Sequence, residues 1–448
     1  MELAELVGLR PFPAAGLLLG LTRRCPLRCR HCSTGSDLTV REEPNAAQLL
    51  RFVGSFTTEN RPDVVMLTGG EPLLLPTLAG ELSFLARRAG SRTAVLSGMF
   101  FARSQRIPPA ILRAIAQVDH FSASLDVYHE REVARADVFR ALHHIRESGV
   151  SVSFHLTGTG ADDPYLADIT RAIDKEFGGR VPSLVNEVRP FGRAASWARP
   201  ARTGPDPSAA APCSMAAWPV VAFDGTVLAC CNQDTVDRRP APAHLDLGHI
   251  GSDDWAAVRR RALESPVLRM IRTVGPTHLA ARSGAAPHPG SYCDGCRALG
   301  GNEAVAAGAR AVASGPAGAL LDLAAARRGA LGGPEGVVRR HGCSAYARLV
   351  GAGAEAAGAD AAGTGSEAGA GTGAGARART GAGAGAGTEV GAGAGVGTEV
   401  GAGAGTGAQA HAGAATRTGT GNGARTGTGN GARTGTGNGA RTRAGSVR

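Results

Sequence analysis

The feature that most restricts the fold of this chain is an alternation. From Gly16 to about Pro190, short apolar runs take turns with longer stretches of helical pattern, as expected of parallel strands joined by helical crossovers. Six strands are predicted, over Leu17–Leu21, Val64–Thr68, Thr93–Ser97, His120–Leu125, Ser151–Leu156 and Ser183–Val188. Helices are predicted between them, over Asn45–Phe56, Pro76–Ala89, Pro108–Ala116, Val133–Ser148 and Pro164–Phe177. In the fourth helix Val138, Leu142 and Ile145 recur at helical spacing, and Gly149 is placed to stop it. Six strand–helix units are two short of a closed eight-stranded barrel. The expected class is therefore α/β, an open partial (β/α)6 barrel whose site lies at the C-terminal ends of the strands, where several loops converge.

The 448 residues are unevenly composed. Beyond about Gly351 the chain is almost entirely Gly, Ala and Thr, its last aromatic residue is Tyr346, and it lacks the apolar side chains a core requires. A disordered tail is expected there. Within it, Thr418–Arg425 recurs at Thr426–Arg433 and Thr434–Arg441, but repeats without aliphatic positions have no face on which to stack. The formal charge of +10 does not argue for a nucleic-acid partner, because the tail arginines are spaced by glycine and the rest mixes both signs. The N-terminus offers neither a basic leader nor a long apolar run, so no membrane association and a cytoplasmic location are expected. In that reducing compartment nine cysteines, several closely spaced, point to metal ligation or redox work before disulfides.

The first predicted strand runs into Cys25-Pro-Leu-Arg-Cys29-Arg-His-Cys32. A 4Fe-4S cube ordinarily takes four thiolates, so a motif supplying three leaves one iron open. Zinc held by the same thiols with His31 is disfavoured, because adjacent side chains rarely reach one tetrahedral metal. Gly69-Gly70-Glu71-Pro72 follows the second strand. Together these residues resemble the CxxxCxxC and GGEP motifs of the radical S-adenosylmethionine (SAM) superfamily. The resemblance implies that Cys25, Cys29 and Cys32 hold a 4Fe-4S cluster whose open iron binds SAM through its amino nitrogen and carboxylate. It also implies that Gly69, Gly70, Glu71 and Pro72 hold the SAM amino group, the glycines allowing close approach and Glu71 or nearby carbonyls accepting from the ammonium. Ser124 and Asp126 resemble the superfamily's polar strand-end motif near the SAM ribose or methionine, with helix capping as the alternative for Asp126. His31 stands where the family commonly has an aromatic side chain. Thr157-Gly-Thr-Gly160 is expected to be a structural turn.

Downstream, Arg189-Pro-Phe-Gly-Arg-Ala194 resembles the segment that links the barrel to an auxiliary cluster domain in many superfamily members. Cys213 and Cys230 flank a predicted hairpin turned at Asp224-Gly225, Leu247–Ile250 leads into a predicted helix near Trp255–Leu263, and Cys293-Asp-Gly-Cys296 adds a close pair. This resembles the SPASM/Twitch arrangement. With only four well-placed thiols, the resemblance implies the shorter Twitch form, one auxiliary 4Fe-4S cluster on Cys213, Cys230, Cys293 and Cys296. Cys231 is an alternative to Cys230, Cys343 is a distant ligand or a free thiol, and a four-cysteine zinc site stays open. The expected organisation is an N-terminal extension over 1–15, the partial barrel over 16–194, the auxiliary region over 195–349 and the tail over 350–448.

The activity implied is reductive cleavage of SAM, with an electron from flavodoxin or ferredoxin, and hydrogen abstraction from a substrate. Ribosomally made peptides and small molecules such as an aminocyclitol or sugar compete as substrates. Only 24 residues precede Cys25, so a peptide substrate implies a separate recognition protein. His155, Glu187 and Arg189 fall on or after late strands, but none is assigned as acid or base. A redox sensor holding iron–sulfur or zinc is the non-enzymatic alternative.

Overall fold

The computed structural model describes residues 1–198, 209–286 and 288–352; the expected disordered tail lies outside the described residues from residue 353 onward. All six predicted strands form, as β1 (Gly16–Gly20), β2 (Val64–Thr68), β3 (Arg92–Ser97), β4 (His120–Ser124), β5 (Ser151–Gly158) and β6 (Ser183–Glu187). They lie side by side in chain order and run parallel, with registers Gly16↔Val64, Val64↔Arg92, Ala94↔His120, His120↔Ser151 and Phe154↔Ser183. Leu17, Leu19, Val64, Val65 and Leu67 are fully buried, which is why these strands read as unbroken apolar runs.

A short helix α1 (Leu3–Gly8) precedes the sheet, and the crossovers carry α2 (Ala46–Gly54), α3 (Pro76–Arg88), α4 (Pro109–Ile115), α5 (Val127–Glu130), α6 (Arg135–Glu147) and α7 (Pro164–Phe177). Their starts follow from cap chemistry. The Asn45 side chain accepts from the Gln48 amide, and Asp163 accepts from the Tyr165 amide ahead of Pro164. The helix expected over Val133–Ser148 forms as α6, and a short helix ahead of it was not expected. Asp126 caps an additional turn, α5, and the chain re-enters helix only at Arg135. β5 also runs two residues past its predicted end, because Thr157 and Gly158 pair with Asn186 and Glu187 of β6.

The predicted hairpin forms as β7 (Val220–Val221) and β8 (Thr226–Leu228), turned at Gly225 with φ +90°. It is not isolated. β7 pairs in parallel with β1 (Leu18↔Val220), and β9 (Asp246–His249), which the sequence reading missed, pairs with β8. The result is one nine-stranded sheet in the order β6-β5-β4-β3-β2-β1-β7-β8-β9.

Eight helices follow: α8 (Gln233–Val236), α9 (Trp255–Glu264), α10 (Pro266–Thr273), α11 (Pro276–Arg282), α12 (Tyr292–Arg297), α13 (Glu303–Ala313), α14 (Gly315–Gly329) and α15 (Gly333–His341). Trp255 on α9 is fully buried against Phe52 and Phe56 of the α2 region, with ring centroids 6.4 and 5.7 Å away. Arg272 on α10 is buried and forms a two-pronged ion pair with Asp322 on α14, at 2.9 and 2.6 Å. After α15 the Cys343 amide donates to the Val185 carbonyl at 2.9 Å, covering part of the β6 edge. No single helix among the described residues is long and apolar enough to cross a membrane.

Candidate iron–sulfur and SAM site

Leaving β1, the chain carries Cys25, Cys29 and Cys32 on a loop without regular secondary structure, with Cys25 and Cys29 buried and Cys32 half-buried. Such a loop needs partners for its backbone groups from elsewhere. Two clamps supply them. The first is the glycine turn after β2, where the Gly70 amide donates to Thr22 O at 2.6 Å and the Glu71 amide to Arg24 O at 2.9 Å. Gly69 has φ +137°, and a Cβ on Gly70 would overlap the Arg23 and Arg24 carbonyls. The close approach expected of these glycines is therefore to the cysteine loop itself. The second clamp is Gly192-Arg193. Gly192 has φ +54° and lies so close to the Cys32 and Ser33 carbonyls that no side chain fits. The Arg193 amide donates to Cys32 O at 3.0 Å, its Nε to Cys29 O at 2.9 Å and its Nη1 to Ser36 O at 2.8 Å.

Glu71 is fully buried, and both its oxygens are engaged. Oε1 accepts from the Leu73 amide and Ser97 Oγ at 3.0 Å each, and Oε2 from Ser97 Oγ at 3.1 Å and the Gly98 amide at 2.9 Å. Burial pushes its carboxyl up to about 7, against the pull of those donors. Of the two acceptors considered for an ammonium, Glu71 is thus occupied in holding the turn, and Pro72 opens a short 3-10 segment behind it.

Ser124 ends β4 half-buried, and Asp126 follows, almost wholly buried. Asp126 does cap α5, its Oδ1 accepting from the Tyr128 and His129 amides at 2.9 and 3.1 Å. Its Oδ2 has a second task, lying 2.8 Å from His129 Nδ1 and 3.3 Å from His31 Nε2. Burial works against a charged His129, but the Asp126 carboxylate and then Cys29, to which the ring also hydrogen-bonds, raise its basicity well above the ordinary value. His31 moves the other way, to about 4, because burial outweighs the same carboxylate. His31 stacks on Tyr128, ring centroids 4.7 Å apart, which suits a position where a planar side chain was expected. His155 on β5 meets Asn186 on β6 at 2.7 Å (Nε2 to Nδ2), and burial lowers its basicity to about 4. Sequence reading missed His129 and Arg193, although Asp126 and His129 at i,i+3 at the start of a helix were there to be seen.

The Cys25 thiol suits a cluster by its electrostatics. Burial, with Glu71, Cys29 and Cys32 adding to it, pushes the Cys25 thiol up to about 12. Ionised together, buried thiols need a cationic centre. Four auxiliary thiols are likewise brought together from separate elements: Cys213 before a 3-10 turn, Cys230 after β8, and Cys293 and Cys296 one turn apart on α12. Burial and then the neighbouring cysteines raise Cys213 to about 11 and Cys230 to about 12, and Cys296 rises for the same reasons, its neighbours being Cys213, Cys230 and Cys293. Cys231 stands beside this group, accepting from Arg10 Nη2 at 3.3 Å. Cys343 is fully buried next to Glu187 and away from both groups. One zinc with Zn–S near 2.3 Å would draw its sulfurs to within roughly 4 Å of each other. Among the described residues only His31, Asp126 and His129 offer three ligand atoms mutually within 4.8 Å.

A partial barrel with three thiols on one loop at its mouth is the arrangement that an iron–sulfur cluster with one open iron would need. Residues 19–173 match the family described as the Radical SAM superfamily, so this stretch is a radical SAM domain. Members of that superfamily use a 4Fe-4S cluster together with SAM. The chain is 28% identical over 178 residues to pre-heme d1 synthase of Dinoroseobacter shibae, covering 37% of this chain and 42% of that protein. It is 33% identical over 113 residues to the PqqA peptide cyclase of Streptomyces rochei, covering 25% and 29% respectively. It thus spans less than half the length of these curated relatives. Among solved structures, Streptococcus suis SuiB bound to SAM aligns over 60% of this chain and 75% of that one, with 12% identity and a TM-score of 0.41.

Proposed function

We propose that this chain reductively cleaves SAM at the Cys25–Cys29–Cys32 loop and uses the 5′-deoxyadenosyl radical to take hydrogen from a ribosomally made peptide, in an oxidation or cross-linking. The observation that carries this reading is the loop of three thiols clamped to the glycine turn by the Gly70 and Glu71 amides. A bound cluster supplies one electron to the sulfonium of SAM. The chain's residues bind and orient. Gly69, Gly70, Glu71 and Pro72 fix the turn whose free carbonyls receive the SAM ammonium, while Ser124 holds a ribose hydroxyl and Asp126, taken up by the α5 cap and two imidazoles, fixes the strand end beside it. We assign a second, closed 4Fe-4S cluster of the SPASM/Twitch kind to Cys213, Cys230, Cys293 and Cys296, as an electron acceptor or relay. The domain limits 16–194 and 195–349 are proposed with it. Flavodoxin or ferredoxin is the electron donor, a separate protein recognises the peptide, and nine unpaired thiols fit a cytoplasmic setting.

The peptide substrate is supported by the name of the PqqA peptide cyclase. A small-molecule substrate is the second reading, favoured by the longer match to an enzyme named for making pre-heme d1. Anaerobic reconstitution with SAM and dithionite tests the core of the proposal. It predicts 5′-deoxyadenosine, and a loaded cluster without that product would favour a redox sensor. Iron counting tests the second site: about eight irons per chain are expected, falling to about four when Cys293 and Cys296 become alanine. A count of about four in both proteins would overturn it.

A further inference from the structure

The superfamily reading leaves unused an opening of about 650 Å³ beside the cysteine loop, lined by Arg28, Arg30, Gly192, Arg193, Ser196 and Trp197. That volume falls in the range of ligand pockets, roughly 300–1,000 Å³. Its charge is lopsided. Among the described residues, Arg28 meets a carboxylate only at the 3.9 Å limit, in Asp37. Among the described residues Arg30 forms no ion pair, and it lies over the Trp197 ring at 5.0 Å. Arg193 spends Nε and Nη1 on carbonyl oxygens, and its buried Nη2 has no partner among the described residues. Glu132, which accepts from the Arg28 amide at 3.2 Å, is paired with Arg103 at 3.1 Å.

Arg28 and Arg30 are both exposed, Arg28 with 78% of its side chain, but they alternate with the cysteines on a loop clamped from both sides. Trp197 fixes the wall, donating from Nε1 to Arg30 O at 3.2 Å. Its ring lies 5.6 Å from Tyr128, which stacks on His31. A guanidinium held over an aromatic ring keeps its edge free for a carboxylate, which it meets in a fork.

We infer that this opening takes an acidic peptide segment, whose carboxylates are read by Arg28 and Arg30. The inference rests on the peptide reading above and adds the chemistry of the segment. Trp197 is its reporter, because the other two tryptophans, Trp218 and Trp255, are 3% and 0% exposed. The test uses the full chain, reconstituted anaerobically, with hexaglutamate as probe, hexaglutamine as the neutral control and citrate as a small free carboxylate. Hexaglutamate is expected to change tryptophan emission saturably and hexaglutamine to leave it unchanged. The response should weaken in about 1 M salt, where screening is short-ranged, vanish in W197F, and need about tenfold more probe in R28Q and in R30Q. Equal binding of hexaglutamine, a response that survives W197F, unshifted arginine variants, or citrate competing at the same concentration as hexaglutamate would each overturn it. Wild-type protein that makes 5′-deoxyadenosine from SAM yet ignores hexaglutamate sinks this inference alone. Protein that makes none sinks the reading beneath it.

Discussion

Replacing Arg193 with alanine removes one of the two clamps on the cysteine loop. Two charge-assisted hydrogen bonds disappear, to Cys29 O and Ser36 O, each worth about 1.5–3 kcal/mol. The guanidinium is only partly buried, so water replaces part of each, and the lower end applies, about 3 kcal/mol for the pair. The Arg193 amide keeps its bond to Cys32 O, so the loop is weakened and not detached. At 1.4 kcal/mol per decade, the open form of the loop should become about a hundredfold more populated. Iron release to a chelator from the reconstituted protein and hydrogen exchange at residues 25–37 both report that opening. Each should accelerate by about that factor in R193A and by less in R193K, which retains one donor. Rates equal to wild type in both measurements would refute the clamp.

G192A should lose the same docking more severely, because a Cβ there overlaps the Cys32 and Ser33 carbonyls; G160A, at φ +147° with nothing within 4 Å, is the matched control, and melting temperatures compare them. D322A strands the buried Arg272 guanidinium and should cost about 3–5 kcal/mol in urea unfolding, whereas adding R272M should restore much of it. Glu71 predicts a pH dependence in the metal-free protein. Its folded carboxyl sits near 7 against 4.5 unfolded, so its stabilising contribution is full below about 4.5 and is lost as pH rises through about 7. The loss amounts to about 3 kcal/mol at 1.36 kcal/mol per pH unit, and it should be absent from the unfolding profile of E71Q.

The barrel was legible because its strands are covered on both faces and several of its helices, α2, α5 and α7, carry side-chain caps. Pro164–Phe177 was read to the residue, and Val64–Thr68 likewise. What escaped was set by contacts distant in the chain. Nothing local marks Asp246–His249 as a strand, since its pairing partner β8 lies some twenty residues earlier and its own burial is uneven. The helices over Glu303–Gly329 were missed because their apolar positions are mostly alanine, which marks no face. In the site, thiol spacing exposed the cysteines, but spacing cannot tell that Gly70 and Gly192 are pressed against the same loop from opposite directions, or that Asp126 serves two imidazoles as well as a helix start.

The parallel pairing of Val220–Val221 with β1 bears on how the molecule can be dissected. A fragment ending before Cys213 would leave Gly16–Gly20, an uncharged apolar ribbon, with its amides and carbonyls bare along one side. Such a ribbon recruits another copy of itself. The six-stranded portion is thus poorly suited to life as a separate soluble fragment, and the segment that delivers the auxiliary thiols also guards it against self-association.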